Sequence, residues 1–378
     1  MKIALVGPTY PFRGGISHYT TLLYMSLQKR HEVRFYTFSR PYPKSFYPGD
    51  TSSDQSEMKF MVEDALATID WANPFSWIKT GLLLARWSPY AVIFPWWMWG
   101  WAIPFWTIAK TVSLKKNAKI LFLCHNVIEH EAAIWKAFFS RLALSTGDAY
   151  IVHSQSDYRD LKKTFPNAQI KMNFHPTYEI FSQKSRSKQE ARTKLKIDPK
   201  FKKIILFFGI VRQYKGLGYL IEAMPHIVAE LPDLCLIIVG EFWDEEEVYI
   251  RQIHALKIED KVKIINKYIP NEEVGDYFSV ADVVVLPYVS GTGSGIVQIA
   301  FGFNKPVIAT SVGCLPEVVE HGRTGYLVEP ADAQAIVRAV ISFYKTGMED
   351  IFSRNIASVR EKFSWNRMVK TIEALLEQ

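Results

Sequence analysis

Short apolar runs, each ending in a polar or glycine-rich turn and followed by apolar positions three and four apart, recur along the whole chain. Such alternation of buried strand and amphipathic helix is the pattern of parallel α/β sheets. In the first half, strands are predicted at 2–6 (KIALV), 33–38 (VRFYTF), 91–95 (AVIFP), 119–124 (KILFLC) and 149–154 (AYIVHS). Helical patterns follow Gly14 and Gly15, where Ile16, Tyr19, Leu22 and Leu23 form the stripe, and occupy the stretch after Gly100, residues 130–145 and the run DYRDLKKTF. Residues 40–60, rich in Pro, Ser, Lys and Asp, read as a loop. In the second half, strands at 203–208, 234–240, 262–265, 282–287 and 306–310 alternate with helical segments and imply a second parallel sheet covered on both faces. The polar, basic stretch from His175 to Lys200 has no strand pattern and reads as the junction. The expected organisation is a domain over 1–175, a linker over 176–200, a domain over 201–355 and a closing helical stretch over 356–378.

Composition agrees with two domains, each with its own core: 378 residues, 48% hydrophobic and 22% charged. A net charge of +7 and a pI near 9.0 favour an anionic ligand or surface. The charges are spread, without an arginine-rich arm or zinc-ligand spacing, so nucleic acid is not an expected partner. Cys124, Cys235 and Cys314 lie far apart with no CxxC pair, which fits a reducing compartment and argues against a disulfide framework. The first apolar run is too short for a signal peptide and is broken by Gly7, Pro8 and Pro11. A cytoplasmic location is expected.

Between Trp71 and Trp106 lie most of the chain's 11 tryptophans, and AVIFPWWMWGWAIPFWTIA is uncharged for 19 residues. That length suits a membrane span, but Pro95 and Pro104 divide it into a buried strand and a helix ending in the basic segment KTVSLKKNAK. Tryptophan beside lysine suits a membrane interface or a carbohydrate-stacking groove; the other reading is a tryptophan-heavy core under the sheet. Composition alone leaves both open.

Candidate chemistry gathers at the strand ends. In ILFFGIVRQYKGLGYLIEA an apolar run ends at Gly209 and delivers Arg212 and Lys215 just ahead of a helix, and two cations beside free helix N–H groups suit a diphosphate. A second turn, VSGTGSGIVQIAFG, sets Gly291, Gly293, Ser294 and Gly295 between strand and helix, where N–H groups up to Ile296 can meet phosphate oxygens. His125 and Asn126 follow a buried strand at the place where open α/β sheets set ligand contacts. Gly14 and Gly15 either admit a ligand to the backbone or make a simple turn; the spacing is not GxGxxG, which removes the usual support for nicotinamide chemistry.

Taken together, FFGIVRQYKG, NKPVIATSVGCLPEVVEHGRTGYLVEP, CHN at 124–126 and the Gly14–Gly15 pair resemble the retaining, nucleotide-sugar-dependent glycosyltransferases of family 4. The resemblance implies α/β architecture with two Rossmann-like domains, their parallel sheets facing an interdomain cleft (GT-B). It implies that Arg212 and Lys215 hold the donor diphosphate with Gly209, that Ser294, Gly295, Ile296 and Val297 offer N–H groups with Gly293 and Gln298 beside them, and that Tyr268 and Ile269 meet the base. His125 is implied near the transferred sugar, Gly14 and Gly15 near phosphates or acceptor, and Asn126, Trp97 and Trp99 are the acceptor candidates. The closing helix is implied to return to the N-terminal domain. One departure stands out. The two glutamates that the family commonly carries eight positions apart are Gly291 and Ile299 here.

The expected activity is sugar transfer from a UDP- or GDP-linked donor to a glycan or lipid-linked acceptor, retaining, without a cofactor, and without a metal because no DxD pair is evident. Front-face attack follows from the absence of a carboxylate nucleophile. The alternatives are a nucleotide- or glycan-binding module without turnover and a nucleotide-sugar epimerase. Peripheral contact with the cytoplasmic membrane face, through the tryptophan-rich segment and the basic residues near 110–119, completes the expectation.

Overall fold

The apolar runs become the strands of two all-parallel sheets in a computed structural model that describes residues 1–41, 53–115, 118–127, 134–183 and 185–377. In the first sheet the strands are β1 (Lys2–Val6), β2 (Glu32–Arg40), β3 (Leu66–Asp70), β4 (Ala91–Trp96), β5 (Lys119–Cys124), β6 (Ala149–Val152) and β7 (Gln169–Met172), in the order β3-β2-β1-β4-β5-β6-β7. The second holds β8 (Lys203–Phe208), β9 (Leu234–Val239), β10 (Val262–Ile265), β11 (Val283–Leu286), β12 (Val307–Thr310) and β13 (Gly325–Val328), in the order β10-β9-β8-β11-β12-β13. In each sheet the chain first works outward to one side and then returns to the other. Adjacent connections therefore leave in opposite directions between β1 and β4, and between β8 and β11, and open a crevice beyond the strands' carboxyl ends.

The chain divides into two units, one of Met1–Gln55, Lys59–Phe174 and Ser364–Gln378, the other of Ser56–Met58 and His175–Phe363. In the first unit the tryptophan-rich segment is mostly core. Every residue of β4 is buried, as it must be in a central parallel strand covered on both faces. Trp77, Trp87, Trp96 and Trp101 are buried, Trp101 stacks on Phe38 at 4.1 Å, and Trp77 donates its indole N–H to the Asp70 carbonyl at 2.7 Å. Only Trp71, Trp97, Trp99 and Trp106 are half-buried. The basic stretch near 110–119 is described at Lys110 and Lys119, while residues 116–117 lie outside the described residues, as do 42–52 of the expected loop and 130–133 of the expected helix. Among the described residues no helix is long and apolar enough to cross a membrane.

The helix Trp365–Leu376 also belongs to the first unit. Ser364 caps it by accepting from the Arg367 N–H, and Met368, Val369, Ile372, Leu375 and Leu376 are buried with Ile3, Leu5 and Leu23 on one face of the sheet. Its last turn is tied down where the Tyr90 hydroxyl and the Lys119 ammonium donate to the Leu376 carbonyl, at 2.7 and 2.8 Å.

In the second unit, residues 176–200 carry the helix Lys188–Lys194, opened by a Ser187–Glu190 capping box. Arg186 and Lys194 both pair with the buried Asp276, and Lys188 pairs with Asp282. The helix Leu217–Glu230 buries Leu217, Leu220, Ile221, Met224 and Ile227, and runs on past Pro225.

Candidate functional site

The two turns singled out in the second half flank the switch point between β8 and β11. After β8 the chain passes Gly209 at φ +105, whose N–H donates to the Val239 carbonyl at 2.8 Å. A Cβ added there would stand 3.2 Å from Ile296 Cδ1 and 3.4 Å from Lys215 Nζ, so the strand end, the ammonium and the start of the helix Gly295–Gly302 meet at one point. A single 3-10 turn, Gln213–Lys215, ends in Gly216 at φ +67, where a Cβ would lie 1.9 Å from the Pro287 carbonyl oxygen. Only glycine fits. The Val289 N–H donates to the Tyr214 carbonyl at 2.7 Å, which joins both turns into one structure.

Among the described residues the cations are held without carboxylates. The Arg212 guanidinium lies over the Trp243 ring at 4.4 Å, and Lys215 is half-buried with its ammonium 5.8 Å from the Tyr288 ring centroid. Among the described residues neither side chain makes an ion pair. Desolvation first, and the neighbouring Arg212 charge second, lower the Lys215 pKa from 10.5 to about 8. Two adjacent cations without a counter-charge are poised for an anion, which would relieve both effects.

Ser294 caps the helix Gly295–Gly302, its hydroxyl accepting from the Ile296 N–H at 3.2 Å and bonding the Tyr288 hydroxyl at 2.9 Å. Of the expected N–H donors, that of Ile296 is therefore engaged by its own cap, while those of Gly295 and Val297 belong to a first turn that supplies no intrahelical acceptor. Gly293 and Gly295 are exposed, and the side chains of Val297 and Gln298 are buried. Among the described residues the Gln298 Oε1 has no hydrogen-bond partner, and the Gln298 backbone carbonyl accepts from the Tyr178 N–H at 3.3 Å. Ile299 is half-buried and Gly291 exposed. Tyr268, half-buried, and Ile269, buried, follow β10, so they share the carboxyl edge of the sheet but stand two strands from β8.

In the first unit, His125 follows β5 with its N–H donating to the Trp96 carbonyl at 2.8 Å. Its ring meets the Tyr19 ring edge-on at 4.4 Å and the His153 ring at 5.2 Å. His153 Nδ1 lies 2.7 Å from the Asn173 carbonyl and must carry the hydrogen; burial lowers its pKa to about 4, so this imidazole is neutral. Asn126 donates to the Trp97 carbonyl at 3.4 Å. Tyr19 belongs to the helix Gly15–Leu27, preceded by Gly14 at its N-cap with φ +115. The structure thus brings His125, Asn126, Trp97 and the glycine pair's helix together beyond β4 and β5. Trp99 packs elsewhere, against Trp135 at 4.7 Å. Among the described residues no three His, Cys, Asp or Glu side chains form a group that could hold a metal.

Residues 187–359 match the family model of the glycosyl transferases group 1. The likeness to that family covers a little under half of the chain and coincides with most of the second unit. Among curated relatives, spore coat protein SA of Bacillus subtilis is 26% identical over 59% of this chain and 63% of its own length. N-acetyl-alpha-D-glucosaminyl L-malate synthase of Bacillus anthracis is 28% identical over 46% and 45%, and D-inositol 3-phosphate glycosyltransferase of Pseudarthrobacter chlorophenolicus 31% over 43% and 40%. The chain therefore spans less than two thirds of each. Solved structures that match throughout include Anabaena Alr3699/HepE in complex with UDP, 17% identical over 100% of both chains with a TM-score of 0.76, and sucrose-phosphate synthase of Thermosynechococcus elongatus, 20% identical over 100% and 98% with a TM-score of 0.74. The shared fold is GT-B, two Rossmann-like α/β domains.

The sequence pattern did not mark Trp243, Tyr214, Tyr288 or His153 as site neighbours, and it marked Tyr19 only as part of a helical stripe. Trp243 carried a signal, an aromatic residue just past the end of β9 beside the cationic turn. The other four are recognisable only from the packing.

Proposed function

We propose that the protein transfers a sugar from a nucleoside diphosphate sugar, UDP- or GDP-linked, to a glycan or lipid-linked acceptor, with retention of configuration and without a metal ion or cofactor. The observation that carries this reading is the Arg212–Lys215 turn, with two cations that make no ion pair among the described residues, at the switch point of a domain that matches the group 1 glycosyltransferase model. The names of the curated relatives support sugar transfer as the reaction.

The chemical demand is leaving-group charge. As the bond from the anomeric carbon to the diphosphate oxygen breaks, its electron pair passes to that oxygen. Arg212, Lys215 and the first-turn N–H groups stabilise the charge from fixed positions, a role that a metal ion plays where such cations are lacking. The acceptor oxygen bonds the anomeric carbon from the same face, and its proton goes to the departing phosphate. His125, oriented by Tyr19 and the Trp96 carbonyl, contacts the transferred sugar, Tyr268 and Ile269 line the base, and Asn126 with Trp97 receives the acceptor.

The test is nucleoside diphosphate release from a panel of donors with glycan and lipid-linked acceptors, EDTA present, and the product anomer read by NMR. Release that depends on acceptor, survives EDTA and retains configuration is expected; an inverted product or an EDTA-dependent rate would overturn those parts. A second reading, a binding module without turnover, is favoured by Gly291 and Ile299 standing where the family commonly has glutamates. Binding of donor without release in every combination would select it.

A further inference from the structure

The helix Ile134–Leu144 of the first unit turns Ser140, Ala143 and Leu144 into the core and leaves large apolar side chains outside it. Ile134 is 91% exposed, Phe138 62% and Trp135 49%. Residues 134, 138 and 141, and 135, 138 and 142, are helical neighbours, so these side chains form one continuous face. Trp99 joins that face edge-on to Trp135, and the Lys136 ammonium lies over both rings at 5.7 and 5.8 Å. The helix sequence IWKAFFSRLAL has two cations and no carboxylate.

Beside Phe138 a hollow of about 620 Å³ opens toward the helix Gln155–Thr164. Phe138, Leu142 and Phe165 give it apolar walls, and Arg141 and Lys163 stand at it with one carboxylate, Asp160. Among the described residues neither Arg141 nor Lys163 makes an ion pair. A contiguous apolar face of this kind marks a surface that is dried by a partner.

We propose that this face docks on an anionic lipid bilayer, with Ile134, Trp135 and Phe138 among the upper acyl chains and a lipid phosphate between Arg141 and Lys163. The charge pattern selects that occupant. Aromatic rings with a cation stacked over them, flanked by further cations and free of carboxylate along the helix, match the headgroup boundary of a negatively charged membrane. A second copy of the chain would set Lys136, Arg141 and Lys163 against the same cations across a two-fold axis. The surface takes only Trp99 from the tryptophan-rich segment, whose Trp96 and Trp101 are core, and it does not depend on the sugar-transfer reading.

The test floats the full chain with vesicles of phosphatidylcholine alone and of phosphatidylcholine mixed with phosphatidylglycerol, at low and high salt. Binding to the anionic vesicles alone, reversed by salt, is expected. The Ile134→Ser/Phe138→Ser double variant should bind at least about tenfold more weakly, from lost apolar insertion. Arg141→Gln and Lys163→Gln should each weaken binding roughly fivefold. All these side chains are exposed or rim the hollow, so an unchanged circular dichroism melt certifies the fold of each variant. Equal binding to neutral vesicles, undiminished binding by the double variant, or a dimer in sedimentation velocity that the double variant disperses would each overturn the proposal. Displacement from anionic vesicles by soluble glycerol phosphate would show that the hollow holds a free anion and would overturn the bilayer as its ligand.

Discussion

In the proposed site, Lys215 and Arg212 divide one task between unlike chemistries. The planar Arg212 guanidinium lies against the Trp243 face; Lys215 is a half-buried ammonium whose pKa has fallen to about 8. Replacing Lys215 by Met, or Arg212 by Ala, should lower kcat/KM by about 10²- to 10³-fold, the loss typical of a single preorganised electrostatic donor. Arg212→Lys should recover only part of this, because a lysine cannot form the bidentate fork or lie flat on Trp243. Steady-state kinetics with one donor decides both points. The lysine also sets a pH dependence whose sign follows from its charge. Below about pH 8 the free site holds the ammonium and binds a diphosphate fully; above it the free lysine is neutral, whereas a bound anion restores the ammonium. Affinity should therefore fall as pH rises beyond about 8, with proton uptake on binding. The ligand's own last ionisation, near about pH 6, lies outside that window. Calorimetric titration in buffers of different ionisation enthalpy measures the uptake, and Lys215→Met should abolish it.

The elements that present these side chains are rigid because the turns are cross-linked. Gly216 is the pivot, with its left-handed backbone and no room for a Cβ against Pro287, and the Tyr214 carbonyl holds the second turn through Val289. Gly216→Ala should cost more than the roughly 1–2 kcal/mol of a left-handed non-glycine residue, since the added carbon also meets backbone. It should lower the urea midpoint and nucleoside diphosphate affinity together. Ser294→Ala removes a helix cap and should cost about 0.5–2 kcal/mol. The long buried strands were legible from their apolar runs, as were the cationic and glycine turns between strand and helix. The strands β3, β7 and β13 were not. LATID and QIKM are edge strands with alternating or exposed residues, and GYLV is short, so none carries the continuous apolar signal of a doubly covered strand. The tryptophan-rich segment stayed open for the opposite reason. Uniform apolarity cannot distinguish lipid from the interior of a sheet, and only the placement of β4 at the centre resolves it.

At the scale of the molecule, the cationic and glycine turns lie wholly in the second unit and the closing helix wholly in the first. That helix covers one face of the first sheet with Met368, Val369, Ile372, Leu375 and Leu376, and Glu373 on its other side pairs with His31 and Arg30 at 2.9 and 3.1 Å. Ile372 is fully buried among these side chains, so Ile372→Ala removes methyl groups from a packed face and leaves a cavity, at a cost of about 2–5 kcal/mol. The loss falls on the first unit. The cationic turn draws its contacts from Gly209, Tyr214, Trp243, Tyr288 and Ile296, none of which belongs to that unit. Denaturant unfolding of Ile372→Ala should show the destabilisation, while calorimetric titration at a temperature where the variant remains folded should give a nucleoside diphosphate affinity within about twofold of the parent, as for independent sites. A parallel fall in affinity would mean that the first unit's packing sets the geometry of the donor turns, and that independence would have to be abandoned.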